Sequence, residues 1–374
     1  MKILILVSSL NYGGAEKQAV LDANMLAEVE NVYLGTFQDG PLRQQLDERV
    51  KVVYFQKLNY FSTANRLASF IKKEKVEVVH NHLYAPMIIS ALASIRAKVP
   101  VFWHFHGHHF EVRKWPLNLL SRLPMVKNTV FVCDALAGYF GRAFHFPEAK
   151  STVIYNSSQC RKLPKAKPQD SKLRIGFMGR LVGLKRVEYL IEVAAFLKKK
   201  GLPNFEVLIA GDGPERAPLE KQVTERGVSE EVTFLGFRSD IENIYNQLDL
   251  FILPSEEEAL SLALIDAGRV GLPSLAFDIG GNKEIIKNGE TGFIVGSLDE
   301  LKEKALLLCR DKVLREKMGE KAEQFTRLFS EQNHLQSLLK MYHQHSPSGR
   351  SIQPKVHQLH LAKPLLEEKV IREA

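Results

Sequence analysis

The chain has 374 residues, 45% hydrophobic and 25% charged, a size and balance that suit two cored domains better than one oversized core. No apolar run reaches the roughly 18 to 20 residues that span a bilayer, and the three cysteines, Cys133, Cys160 and Cys309, lack CxxC spacing, so neither a disulfide framework nor a zinc site is indicated. The net charge of +8 points to an anionic contact, a nucleotide or an acidic membrane surface; nucleic acid is disfavoured, since zinc-finger spacing, an RNA-binding aromatic motif and a helix-turn-helix signal are all lacking.

The opening "MKILILVSSL" is short, has no small-residue cleavage site and reads as a buried strand, Ile3 to Val7. Gly13 and Gly14 follow in "SSLNYGGAEKQAV", ahead of a helix whose amides and positive dipole end suit a phosphate or a sugar; glycines that only permit a tight turn give the same pattern. The loop is not a GxGxxG fingerprint, which removes the main support for a nicotinamide or flavin enzyme. Further strands are expected at Val32 to Gly35, Val76 to His80, Val101 to Phe105, Val130 to Cys133 and Val153 to Tyr155, separated by helix-length amphipathic segments: the βα alternation of a parallel sheet.

Within "WHFHGHHF", His104, His106 and His108 would share one face of an extended strand, as metal ligands can. No carboxylate or cysteine stands at ligand spacing and Gly107 ends the strand, so no metal site is expected. Residues 111 to 127 combine Trp115 and leucines with Arg113, Lys114, Arg122 and Lys127, a composition shared by helices lying on anionic membranes and by solvated helices with one side in a core.

From 156 to 172 the pattern breaks into "NSSQCRKLPKAKPQDSK", a composition expected between domains. The predicted organisation is a Rossmann-like domain over 1–160, a linker at 161–172, a second Rossmann-like domain over 173–330, a helix over 331–345 returning to the first domain, and a poorly packed tail over 346–374. Strands of the second domain are expected at Arg174 to Met178, Glu206 to Ala210, Val232 to Leu235, Leu250 to Leu253, Ser274 to Phe277 and Phe293 to Val295. Arg180 and Lys185 fall in the first strand-to-helix loop of this domain, where an arginine fork and a lysine point charge suit a diphosphate without a metal. Gly211 and Gly213 in "IAGDGPE", and Gly236 and Phe237 in "FLGFRSD", also end strands, where open parallel sheets bind ligands.

The segment "LPSEEEALSLALIDAGRVGLPSLAFDIGGNKEII", residues 253 to 286, resembles the donor-binding region of family 4 glycosyltransferases: Pro-Ser, a Glu, seven residues, a second acid, Gly-x-Pro, and Gly-Gly followed by Glu. Glu258 takes the first acidic place and Asp266 the second, with Gly271, Pro273, Gly280, Gly281 and Glu284 completing the match. The similarity covers about residues 1 to 343, through Gly13-Gly14-Ala15-Glu16, "VVHNHLYAP" at 78 to 86, His106-Gly107, "VIYN" at 153 to 156, and Arg180 with Lys185.

The resemblance implies an α/β GT-B fold of two doubly wound Rossmann-like domains facing across a cleft, and a retaining transferase that takes a sugar from a nucleotide diphosphate donor without a metal or other cofactor. It implies His106, Arg180, Lys185 and Glu258 as catalytic groups, with Gly13, Gly14, Gly211, Gly213, Gly236, Phe237, Leu260, Ser261, Leu262 and Asp266 around the donor. Arg180 and Lys185 would hold the diphosphate, Glu258 the sugar hydroxyls and position 266 the ribose diol. Asp266 replaces the family's glutamate and Ala259 stands where glycine is common. The acceptor would be a glycan or lipid-linked glycan of surface polysaccharide synthesis, and the enzyme cytoplasmic, with an anionic membrane face as a partner surface. A sugar-nucleotide epimerase and a non-catalytic GT-B subunit are the alternatives.

Overall fold

The computed structural model describes residues 1–56, 59–107, 114–144, 146–163 and 172–345. The first domain runs β1 (Lys2–Val7), α1 (Gly14–Ala27), β2 (Asn31–Thr36), β3 (Lys51–Tyr54), α2 (Tyr60–Glu74), β4 (Val78–His82), α3 (Tyr84–Ala97), β5 (Val101–Phe105), α4 (Lys114–Ser121), β6 (Val126–Phe131), α5 (Asp134–Phe144) and β7 (Ser151–Val153). Its strands form one parallel sheet in the order β3-β2-β1-β4-β5-β6-β7.

The second domain runs β8 (Leu173–Met178), α6 (Glu188–Lys199), β9 (Phe205–Ala210), α7 (Arg216–Glu225), β10 (Val232–Gly236), α8 (Ile241–Gln247), β11 (Leu250–Leu253), α9 (Leu262–Arg269), β12 (Ser274–Phe277), α10 (Asn282–Ile285), β13 (Gly292–Val295), α11 (Leu298–Arg310) and α12 (Lys312–Thr326), followed by α13 (Glu331–His345). Its parallel sheet has the order β10-β9-β8-β11-β12-β13. Chain direction across each sheet reverses at one place, between β1 and β4 and between β8 and β11, and such switch points open the crevices in which doubly wound sheets bind ligands.

Period-two alternation sorts each central strand between two buried layers. Ile3, Ile5 and Val7 of β1 pack with α1 and α13, while Leu4 and Leu6 enter the larger core on the opposite face. Helix α13 presents Leu335, Leu338, Met341 and Tyr342, all buried, to that first layer. Each such side chain contributes about 1.5–3 kcal/mol, enough to hold the helix against the first domain although the second precedes it in sequence. Helix α11 starts where Ser297 accepts from the Glu300 amide and the Glu300 carboxylate accepts from the Gly296 amide, a reciprocal cap that satisfies two amides.

Three strand expectations shift. β4 lies two residues later than Val76 to His80 and ends on His82, because the polar run His80-Asn81-His82 is fully buried rather than looped out. β6 begins at Val126, and its polar Asn128 and Thr129 are absorbed by bonds to Thr152, Ser151 and the Lys150 carbonyl; β7 is correspondingly earlier, at Ser151–Val153. β3 was not expected at all: it is a four-residue edge strand whose side chains stay largely accessible, so it carries no buried periodicity to read. The expected tail, 346–374, lies outside the described residues.

Candidate active site

The second domain gathers its candidates at the β8/β11 switch point. The loop after β8 is pinned by Gly179 N to the Ala210 carbonyl and Leu181 N to the Asp212 carbonyl, 3.0 Å each. Gly211 is required in this pinning, since its φ is +141° and a Cβ there would stand 1.9 Å from the Gly179 oxygen. Between those anchors Arg180 is exposed, and among the described residues its guanidinium has no hydrogen-bond or ion-pair partner. Lys185 closes a single 3-10 turn, Gly183–Lys185, and its Nζ lies 2.6 Å from Glu258 Oε1 in the loop after β11. The neighbouring Arg186–Glu256 pair, at 2.8 Å, and the bond from Glu256 N to the Leu184 carbonyl tie the same two loops together.

Leu260 and Ser261 are buried, and Ser261 caps α9 by accepting from Leu264 N. Gly280, φ +48°, lets its loop pass so close that a Cβ would sit 1.9 Å from the Glu258 carbonyl oxygen. Asp266, one turn into α9, is only 8% exposed; Ser158 Oγ donates to its Oδ1, and burial raises its pKa although Lys17 and the Ser158 and Cys160 bonds pull the other way. Its carboxylate thus lies against the chain that joins the domains.

The first domain answers from its β1/β4 switch point. Gly13 caps α1, and a Cβ at Gly14 would meet nothing within 4 Å, so this loop borders open space. His106 follows β5 directly and points inward: its Nε2 is 2.8 Å from His82 Nδ1, and burial lowers its pKa to about 3, leaving it neutral. His80, His82 and His104 are all fully buried beside it. Burial likewise holds His80 down to about 4 and His82 and His104 well below the usual imidazole value. At the foot of this group burial raises the Asp22 carboxyl, but the charge and hydrogen bond of His334 outweigh it and hold Asp22 ionised.

Contacts join the two domains beside these groups. Glu284 accepts from the amides of Asp134 and Ala135, 2.9 Å each, so a carboxylate of the second domain caps α5 of the first, and Tyr155 donates to it as well. Cys133 Sγ donates to the Ala259 carbonyl at 3.2 Å. Tyr12 and Phe237, both more than half exposed, meet with ring centroids 5.2 Å apart.

The structure therefore brings Lys185 and Glu258 into contact, sets Arg180 beside the Gly211 and Gly213 loop and Phe237 against Tyr12, and turns Asp266 towards Ser158 and His106 towards His82. Sequence reasoning missed Asp22, Tyr12, Ser158 and His334 altogether, and gave His80 and His82 no role. The alternation His80-x-His82 beside His104-x-His106 was the available signal, since two neighbouring parallel strands place such residues on one face. Of the considered group His104, His106 and His108, His108 lies outside the described residues; His104 lies beside His80 and His82. Of the segment 111–127, residues 111–113 also lie outside; in α4 Leu117 is in the core while Leu119, and Arg122 just past the helix, are exposed.

Two family models match, "Glycosyltransferase Family 4" over residues 12–157 and "Glycosyl transferases group 1" over 161–325. A UDP-Gal:alpha-D-GlcNAc-diphosphoundecaprenol alpha-1,3-galactosyltransferase of Escherichia coli is 28% identical over 314 residues, 74% of this chain and 79% of that protein. A Campylobacter jejuni N-acetylgalactosaminyltransferase that acts on an undecaprenol-diphosphate-linked glycan is 26% identical over 348 residues, covering 87% and 93%. Among solved structures, a Rickettsia africae glycosyltransferase has a TM-score of 0.80 at 22% identity, covering 92% of this chain and 98% of that one. Anabaena HepE in complex with UDP has a TM-score of 0.79 at 22% identity, covering 91% and 99%.

Proposed function

We propose how this chain, which belongs to glycosyltransferase family 4 and has the two-domain GT-B fold, performs its transfer: a UDP-activated hexose or N-acetylhexosamine binds the second domain, and the sugar passes with retention to a hydroxyl of a polyprenol-diphosphate-linked glycan held by the first. The observation that carries this reading is that Arg180, unpartnered among the described residues, and the Lys185–Glu258 pair lie together at the β8/β11 switch point, while Tyr12, beside the open Gly14 loop, meets Phe237 of the second domain. UDP and the lipid-linked acceptor are supported by the names of the E. coli and C. jejuni relatives, and UDP also by the HepE complex.

In this reading the donor diphosphate takes Arg180 and Lys185, whose fixed charges stabilise the phosphate as the anomeric bond loosens, and no metal is invoked there. Glu258, released from Lys185 as the phosphate arrives, accepts hydrogen bonds from sugar hydroxyls. The ribose falls to Asp266, and Gly14 with His106 closes over the sugar from the first domain. Retention follows from the family resemblance. No described helix is long and apolar enough to cross a membrane; the lipid-linked acceptor and the basic net charge support a cytoplasmic enzyme working on the membrane's inner face, through residues 111–127.

The test is a thermal-shift screen over nucleoside diphosphates, followed by incubation with the matching sugar nucleotides and assignment of the product's anomer by nuclear magnetic resonance. Stabilisation by UDP, about 2.7 kcal/mol at 100 times its dissociation constant, with an α-linked product from an α-linked donor, is the expected result. A preference for another base, or an inverted anomer, overturns the corresponding part.

A further inference from the structure

We propose that Asp22, His80, His82 and His104 form a buried binding site for one transition-metal ion of the zinc class, inside the first domain. The histidines come from neighbouring strands: alternation places His80 and His82 of β4, and His104 of β5, on the face covered by α1, which supplies Asp22. One ring nitrogen from each of the three lies within 4.8 Å of the others. His80 Nε2 is 3.2 Å from His104 Nδ1, and Asp22 Oδ2 is 3.6 Å from His82 Nε2. A tetrahedral ion with bonds of 2.0–2.1 Å needs ligand atoms about 3.3 Å apart; two contacts already have that spacing, and small ring rotations bring in the remainder.

Two further observations point to an ion rather than to a self-contained hydrogen-bond cluster. On His80, His82 and Asp22 the atoms turned away from the centre are occupied. His80 Nδ1 meets the Tyr342 hydroxyl, His82 Nδ1 meets His106 Nε2 at 2.8 Å, and Asp22 Oδ1 accepts from Gln18 Nε2 at 2.7 Å and His334 Nε2 at 2.9 Å. Such outer partners fix ring orientation in metal sites. Two atoms that face the centre, His82 Nε2 and Asp22 Oδ2, have no hydrogen-bond partner among the described residues although both side chains are fully buried, a costly state for polar atoms in an interior. Three imidazoles and one carboxylate suit zinc or cobalt rather than magnesium or calcium, which take oxygen sets.

His106 lies between the site and the proposed sugar position, its Nε2 2.8 Å from His82 Nδ1. Asp22 follows Gly14 by eight residues of α1, roughly 12 Å along the helix. Its role is to fasten α1, β4 and β5 together, and through Tyr342 and His334 to fasten α13 to them.

The experiment is a titration of the full chain, stripped with a chelator, with cobalt(II) under anaerobic conditions. One equivalent should bind and give the intense visible bands of a four-coordinate site, and one equivalent of zinc should abolish them. His82→Ala and the volume-conserving His104→Gln, checked for folding by circular dichroism, should each weaken cobalt binding at least about tenfold, the effect of losing one ligand or its support. Wild-type protein that gives no such bands, or only the faint bands of six-coordinate cobalt, overturns the proposal, as do folded variants that bind as tightly as wild type. If neither variant folds, the wild-type titration decides alone. The readout is metal binding, so the outcome is independent of donor, acceptor and transfer.

Discussion

Lys185 and Glu258 meet at 2.6 Å, with the lysine 25% and the glutamate 11% exposed, at the ends of adjacent central strands. A pair this sheltered leaves neither charge alone in the crevice, and a donor diphosphate competes with Glu258 for the lysine. Lys185→Ala or Arg180→Ala should therefore lower kcat/KM by two to three orders of magnitude, about 2.7–4 kcal/mol of transition-state stabilisation. Glu258→Gln should depress transfer while sparing UDP affinity, because its proposed partner is the sugar. Steady-state kinetics with parallel UDP titrations checks the split, and equal loss of both functions removes Glu258 from the sugar.

Phe237 and Tyr12 touch across the domains while remaining mostly in solvent, so the contact contributes little to the fold, about 0.5–1.5 kcal/mol. Phe237→Ala is expected to raise the donor KM several-fold with the unfolding midpoint nearly unchanged. Tyr12→Ala should do the same, and the double variant should be no worse than the worse single one if the rings act as a unit. Additive effects would separate them.

The two βα series were legible because parallel strands buried on both faces announce themselves as short apolar runs, and the family likeness because Arg180, Lys185, Glu258 and Glu284 keep recognisable spacing. What escaped depends on distance through space. Ser158 and Asp266 are 108 residues apart, and Asp22 and His334 312, so no periodicity links them. The β4 displacement has the same origin: buried histidines read as loop until the partners that satisfy them, from α1 and α13, are in place.

Glu284 caps α5 from the other domain, and Cys133, next to that cap, reaches the Ala259 carbonyl with its thiol pushed up to about 12 by burial. Alkylation of Cys133 in the folded chain should therefore be slow and should report separation of the domains. Glu284→Ala removes a cap contributing about 1 kcal/mol, so it should accelerate Cys133 modification about fivefold. Mass spectrometry of trypsin peptides after iodoacetamide treatment measures it; a rate that Glu284→Ala leaves unchanged would mean that other contacts hold the domains together.

Asp266 stands where the resemblance implies a glutamate, and the structure gives the shorter side chain a partner of its own. A carboxylate one methylene nearer the backbone is withdrawn by roughly 1.5 Å, and here Oδ1 takes the Ser158 hydroxyl from the segment between the domains. The Cys160 thiol and the Lys17 charge also favour the ionised form of this carboxylate, whose second oxygen is Oδ2. If that second oxygen serves the ribose, Asp266→Ala should cost about 1.5–3 kcal/mol of UDP affinity, the scale of a hydrogen bond to a charged group. Ser158→Ala, which frees Oδ1 without removing the carboxylate, should leave affinity the same or improve it. Asp266→Glu separates two geometries: tighter UDP binding means that a water now bridges the gap, and weaker binding means that α9 already sits close enough for direct contact. Calorimetric titration of UDP against the three variants reads all of these. Should Asp266→Ala and Ser158→Ala lower the unfolding midpoint alike while UDP affinity stays unchanged, Asp266 is a fastening of the interdomain segment and the ribose is held elsewhere.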